Sequence, residues 1–424
     1  MKRWLMVSAL AAAPLLSAGA ENSFLIRGAR VHTVSGADIA SGSVLVINGR
    51  IAEVGVKVAA PKGVRVIEAK GLHVYPGMIN AATQIGLSEI ASVRETNDVA
   101  EIGAFNPQLR ALVAINPASE HIPITRANGI TMALSLPAGG VISGRAALIH
   151  LDGWTWEEME VRGDAALHLV FPLLESPAAR RPGMAASPAS FEERRRALQT
   201  KIRELHEFFE SARRYQRAKA AGAADLKPDL RLEAMAAVLD GRMPVIITAS
   251  REKVIRDALA FAAEEKIRMI LAGAAEAWKV AAELKARNVP VILGRTMSLP
   301  EYEDDPYDKP YTQPAELYKA GVKFAIASFN TSAARNLPYE AAMAVAFGLP
   351  HQAGLRSITL APAEILGVGQ EYGSIEKGKY ADLAVTDGDL LETRTEVKLL
   401  FIKGKAAGLM NKHRRLYEQY RNRP

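Results

Sequence analysis

The sequence contains no cysteine. Disulfide stapling and thiol chemistry are thereby excluded, and a chain without free thiols is compatible with an oxidising compartment. Histidine is also scarce. The eight present are His32, His73, His121, His150, His168, His206, His351 and His413, and no two are spaced i, i+2 or i, i+4. Either spacing would set two imidazoles on one face of a strand or helix, so no adjacent-histidine metal grip is written here. Aromatic residues make up only 6% and do not interleave with the basic ones, which argues against a nucleic-acid partner. The longest apolar run near the start, Trp4 to Leu16, is too short to favour a membrane span.

What is present describes a large soluble-type core. With 424 residues, 49% hydrophobic and 23% charged, the chain exceeds one small domain. Lys2 and Arg3, the apolar run behind them and Ser17-Ala18-Gly19-Ala20 have the layout of a secretory signal peptide. Cleavage after Ala20 and a periplasmic or secreted mature protein are the expectation. The formal charge of +7 loses Lys2 and Arg3 on cleavage and is modest for this length. Basic residues gather at Arg194-Arg195-Arg196 and in a tail, 409–424, and read as solvated faces.

Asn48-Gly49 between two β-rich runs signals a tight hairpin, because both turn positions favour positive φ. Farther on, Val245-Ile246-Ile247-Thr248, Arg268-Met269-Ile270-Leu271 and Val289-Pro290-Val291-Ile292-Leu293 read as strands. Helical stretches Glu252 to Glu265 and Ala275 to Ala286 separate them. Such alternation predicts a parallel sheet closed into a barrel. Phe191 to Ala221, rich in Arg, Glu, Ala and Leu, predicts a long exposed helix inserted at about 190–221.

Three strings carry a family likeness. Pro76-Gly77-Met78-Ile79-Asn80-Ala81-Ala82-Thr83-Gln84 resembles the first barrel strand of the amidohydrolase superfamily, where two histidines bind a divalent metal. Thr359 to Gly367 and Gly373-Ser374-Ile375-Glu376-Lys377-Gly378-Lys379-Tyr380-Ala381-Asp382-Leu383 look like its closing helix and return strand. The nearest likeness is to the imidazolonepropionase-like branch among exported bacterial proteins. The resemblance implies a TIM-like (β/α)8 barrel over 73–367 and a small composite β-sandwich built from 21–72 and 368–408. It also implies hydrolysis of carbon–nitrogen bonds in cyclic amide-like compounds.

The family's ligand positions are altered throughout. Ala82 and Gln84 stand for the two first-strand histidines, and Thr248 for the fifth-strand one. Ala272-Gly273-Ala274-Ala275 holds no sixth-strand ligand, and Phe329 or Asn330 replaces the eighth-strand aspartate. His168-Leu169-Val170-Phe171-Pro172 offers no counterpart to a fourth-strand lysine. A methyl group has no lone pair, and a neutral amide oxygen suits zinc poorly. The expectation is therefore no bound metal and no cofactor.

Barrel active sites lie at the carboxyl ends of the strands. On that rule Asp305 and Glu276 are the candidate general bases, and Gln84, Thr248 and Asn330 the candidate substrate or oxyanion contacts. The acid run Glu303 to Asp308 also fits a solvated proline turn. Two functions of different class follow: a metal-free hydrolase, or an exported pseudoenzyme that binds a small molecule or partner protein. A small-molecule ligand is expected, an oligomer is allowed, and Phe329 is expected on the wall of a partly open pocket.

Overall fold

The structure is a computed structural model that describes residues 22–174, 190–300, 303–421 and 423. The expected signal segment, 1–20, lies outside the described residues. Five strands open the chain: β1 (Phe24–Val31), β2 (Ile39–Ile47), β3 (Arg50–Gly55), β4 (Arg65–Glu68) and β5 (His73–Pro76). Eight more follow: β6 (Met78–Thr83), β7 (Ile130–Ser135), β8 (Ile142–His150), β9 (Glu160–Val170), β10 (Val245–Ala249), β11 (Met269–Gly273), β12 (Val291–Leu293) and β13 (Phe324–Ile326). The chain closes on β14 (Leu383–Thr386), β15 (Val397–Ile402) and β16 (Lys405–Ala406).

The two ends share one sheet in the order β16-β15-β14-β5-β1-β2-β3, with β4 beside β1. Asn48 and Gly49 turn the β2–β3 hairpin with φ of 50° and 77°. A Cβ on Gly49 would collide with the carbonyl oxygen of Lys403, so glycine is required there twice over. Phe24 and Phe401 stand on strands separated by two others, yet their rings stack at 4.2 Å. The sheet therefore folds over on a core that includes Phe24, Ile26, Val46, Leu383 and Phe401. It packs as a sandwich would, but its hydrogen bonding is continuous.

Strands β6 to β13 form the barrel wall. Its interior is filled by small and branched side chains, among them Ile79, Met132, Leu148, Ile246, Ile270, Ile292 and Ala325. That is a packed core and not a pore. The first and last strands close through Phe329 N–H, which donates to the Ala82 carbonyl at 2.9 Å. Asn80 seals the same seam: its Nδ2 donates to Ser328 Oγ at 2.8 Å, and its Oδ1 accepts from Ser328 N at 3.2 Å.

One strand departs from a uniform (β/α)8 pattern, because β8 runs antiparallel to both β7 and β9. The connection from Ser135 to Ile142 is too short for a helical crossover, which a parallel neighbour would need. The turn lies against the segment before it. Ala138 N donates to Val99 O and Val141 N to Ala104 O, at 2.6 and 2.7 Å.

The helix Phe191–Ala220 starts at a Ser190/Glu193 capping box. It is not exposed all round: Leu205, Phe209, Ala212 and Tyr215 are buried at helical spacing, and Phe209 meets Phe261 edge-on at 5.4 Å. Each such large apolar side chain contributes about 1.5–3 kcal/mol on burial. The charged composition masked this stripe. Among the described residues, no helix is long and apolar enough to cross a membrane.

Candidate functional site at the barrel mouth

The carboxyl ends of β11, β12 and β13 surround a cavity of about 440 Å³. Gly273, Gly294, Arg295, Asp305, Phe329 and Asn330 are among the residues that line it. Among the described residues, Asp305 is the only carboxylate of that lining. Phe329 takes a left-handed backbone at φ 49°, a conformation costly for a bulky residue. The bond from its N–H to Ala82 O holds it there, and its ring packs on the barrel interior.

Arg295 follows β12 and is positioned by an acid on the neighbouring helix Leu337–Ala346. Glu340 on that helix has no solvent exposure. Its carboxylate accepts from Arg295 Nε at 3.1 Å, Met297 N at 2.8 Å and Thr296 Oγ1 at 3.0 Å. A buried carboxylate is tolerated only when paired this fully. Glu340 thereby fixes the path of the β12 loop along the cavity. Lys309, also in the lining, stands over the Trp278 ring at 4.0 Å and pairs with Glu316 at 2.7 Å.

The five candidates read from the sequence fall into two groups. Asp305 and Asn330 meet in the cavity, whereas Gln84, Thr248 and Glu276 are not in its lining. Glu276 is spent on structure: its Oε2 accepts from Glu252 N at 2.6 Å, at the start of the helix Glu252–Glu264, and its Oε1 pairs with Lys279 at 2.6 Å. That bonding makes it a helix anchor instead of a free base. Gln84 sits in the turn after β6, where its carbonyl accepts from Leu87 N and Ser88 N. Asn330 Oδ1 accepts from Ala333 N at 2.9 Å.

Thr248 ends β10 and bonds across to β9. Its Oγ1 lies 2.9 Å from His168 Nε2, and His168 Nδ1 lies 2.6 Å from the Pro137 carbonyl oxygen. That carbonyl can only accept, so Nδ1 carries the hydrogen and Nε2 accepts the threonine hydroxyl proton. Burial pushes the His168 pKa down to about 4, which keeps the ring neutral at physiological pH. Both ring nitrogens are committed. His121, the other histidine near a barrel loop, bonds the Glu89 carbonyl at 3.0 Å. Among the described residues, no group of three or more His, Asp or Glu side chains is arranged to hold a metal ion.

Sequence reasoning does not single out Arg295 or Glu340. Arg295 carries a usable signal, being the first charged residue past a strand end. Glu340 carries none, because it reaches the rim from a helix.

Comparison with known proteins gives the chain's family and its fold. The amidohydrolase family model matches residues 179–407. The amidohydrolase tasK of Hapsidospora irregularis is 26% identical over 407 residues, covering 86% of this chain and 40% of its own length. The chain thus spans well under half of that relative. An amidohydrolase from Thermotoga maritima MSB8 superposes with a TM-score of 0.79 at 24% identity, over 91% of this chain and 99% of that one. Molinate hydrolase gives 0.56 at 15% identity, over 92% and 95%. At these identities the structural likeness speaks for the fold alone.

Proposed function

Because the chain belongs to the amidohydrolase family, we propose that its mouth cavity takes a small cyclic amide-like molecule and hydrolyses the carbon–nitrogen bond with side chains alone. The observation that carries this reading is one carboxylate, Asp305, sharing a small-molecule-sized cavity with Arg295 and Asn330 at the strand ends. In this scheme Asp305 takes a proton from water as its oxygen attacks the carbonyl carbon. Arg295 and Asn330 offer N–H groups to the developing oxyanion. The carbon–nitrogen bond then breaks, and the proton held by Asp305 passes to the leaving nitrogen.

The divalent metal implied by the family does not fit the residues present. Ala82 offers no donor atom, Thr248 and His168 are bonded to each other, Phe329 has no donor side chain, and Asn330 Oδ1 accepts from Ala333 N. No step is therefore routed through a metal. The same bonding favours a second reading, a binder without turnover, in which the former ligand positions serve packing. We also propose that the protein is exported, on the strength of residues 1–20; amino-terminal sequencing from the native host should begin at Glu21.

The test uses purified mature protein, metal analysis, and a panel of lactams, hydantoins and cyclic imides followed for ring opening. Turnover independent of added zinc, reduced about 100-fold or more by Asp305→Asn, supports the hydrolase. Turnover that tracks zinc content, or an undiminished Asp305→Asn enzyme, overturns it. A lactam that raises the melting temperature and is recovered intact selects the binder.

A further inference from the structure

A second and larger cavity, of about 1200 Å³, lies at the opposite end of the barrel from the mouth. It opens beside the starts of β11, β12 and β13 and the ends of the helices Glu252–Glu264, Ala281–Ala286 and Lys309–Lys319. Its walls carry Arg242, Arg268, Lys285, Arg287, Lys323 and Arg356, with Arg162 at one edge. Among the described residues, the only carboxylate in the lining is Glu364. The chain as a whole has 53 basic and 46 acidic residues, so seven cations against one acid is a local excess and not background.

The existing pairings leave much of that charge unanswered. Glu364 is shared between Lys323 at 2.9 Å and Arg356 at 2.6 Å. Asp240 pairs with Arg242 at 3.0 Å and Glu283 with Arg287 at 2.9 Å, both from outside the lining. Three acids against seven cations leave four positive charges unbalanced. Arg162 donates to the carbonyls of Leu366 and Gly367, and Arg268 to that of Arg242, bonds that hold a guanidinium without neutralising it. Among the described residues Lys285 has no ion pair.

Helix ends account for part of this arrangement. Lys285 and Arg287 close the helix Ala281–Ala286, where a cation complements the carbonyl end of the dipole. Arg242, Arg268 and Lys323 lie outside helices and have no such duty. The floor between the cations is apolar and buried, formed by Ile270, Phe324 and Leu366. A bilayer or a nucleic-acid duplex is too broad to enter such a hollow, whereas a soluble phosphate ester fits it.

We propose that this cleft is a binding site for a soluble multivalent phosphate, with the anionic groups among Arg268, Lys285, Arg242 and Lys323 and any organic part on the apolar floor. It is independent of the chemistry at the mouth. Guanidinium and ammonium groups recognise phosphate oxygens by charge-assisted hydrogen bonds, and the attraction weakens with salt.

The experiment is isothermal titration of the full mature chain with inorganic pyrophosphate at low ionic strength. Binding should be saturable, weaken on added salt, and drop about tenfold or more in Arg268→Gln/Lys285→Gln. Both residues are exposed, so the variant should keep the parent's melting temperature without ligand. Should that variant unfold, Lys285→Gln alone provides the comparison. The tail variant Arg414→Gln/Arg415→Gln should bind as the parent does. Absence of pyrophosphate binding, equal affinity in the cleft variant, or equal loss in the tail variant would overturn the site. So would association with phosphatidic-acid vesicles in place of pyrophosphate.

Discussion

The hydroxyl of Thr248 meets Nε2 of His168 at 2.9 Å, tying the end of β10 to β9 and, through Nδ1, to the Pro137 carbonyl in the β7–β8 turn. Removing the hydroxyl while keeping the shape leaves a buried imidazole nitrogen unsatisfied. Thr248→Val should therefore cost about 1–3 kcal/mol, and Thr248→Ser much less. Urea denaturation of the pair provides the comparison; equal stability of the valine and serine variants would remove the hydrogen bond from the account.

His168 also sets a pH dependence. Its folded pKa of about 4 lies below the ordinary histidine value, so the unfolded chain binds the proton more readily. The stability of the neutral buried ring is complete above about pH 6.5 and falls as pH drops toward 4, by about 3 kcal/mol in all. His168→Gln should flatten that part of the profile. Denaturation midpoints measured from pH 7 to pH 4 in both proteins decide it; parallel profiles would assign the slope to other groups.

Glu340 should matter to the cavity without touching its occupant. Glu340→Gln leaves Arg295 without its charge partner, and breaking a buried pair costs about 3–5 kcal/mol. Arg295 is partly exposed, so the lower end of that range is expected. Ligand affinity at the mouth should fall with it. A stable variant with unaltered affinity would mean that the β12 loop is held by other contacts.

Glu276 and Asp305 should separate cleanly. Glu276→Gln weakens the anchor at the start of the helix Glu252–Glu264 and should lower stability by about 1 kcal/mol, with activity or binding at the mouth unchanged. Asp305→Asn should do the reverse. Kinetics or ligand titration alongside thermal melts of both variants tests this, and a catalytic defect in Glu276→Gln at full stability would restore it as a candidate base.

Much of the architecture can be read from local rules. The Asn48-Gly49 turn, the strands from Val245 onward and the long helix after Phe191 follow from turn chemistry and periodicity. The reversal of β8 does not, because a period of two is the same in either direction. Connection length carried that signal, since the few residues after Ser135 cannot hold a crossover. At the mouth, Asp305 and Asn330 are legible because the strand-end rule points to loops. Glu340 comes from a helix, and the partner of Thr248 lies 80 residues upstream, beyond the reach of spacing arguments.

The β7–β8 turn has an effect on access to the mouth. The turn is latched by main-chain bonds from Ala138 and Val141 to Val99 and Ala104, which no replacement other than proline removes. On the β11–β13 side the rim is set by the side chains of Arg295, Glu340 and Asp305, with Phe329 held beside them by its main-chain bond to Ala82. Sequence drift can therefore alter what the barrel admits at the β11–β13 strand ends, while the β7–β8 turn keeps its latch through any change that leaves proline out of Ala138 and Val141.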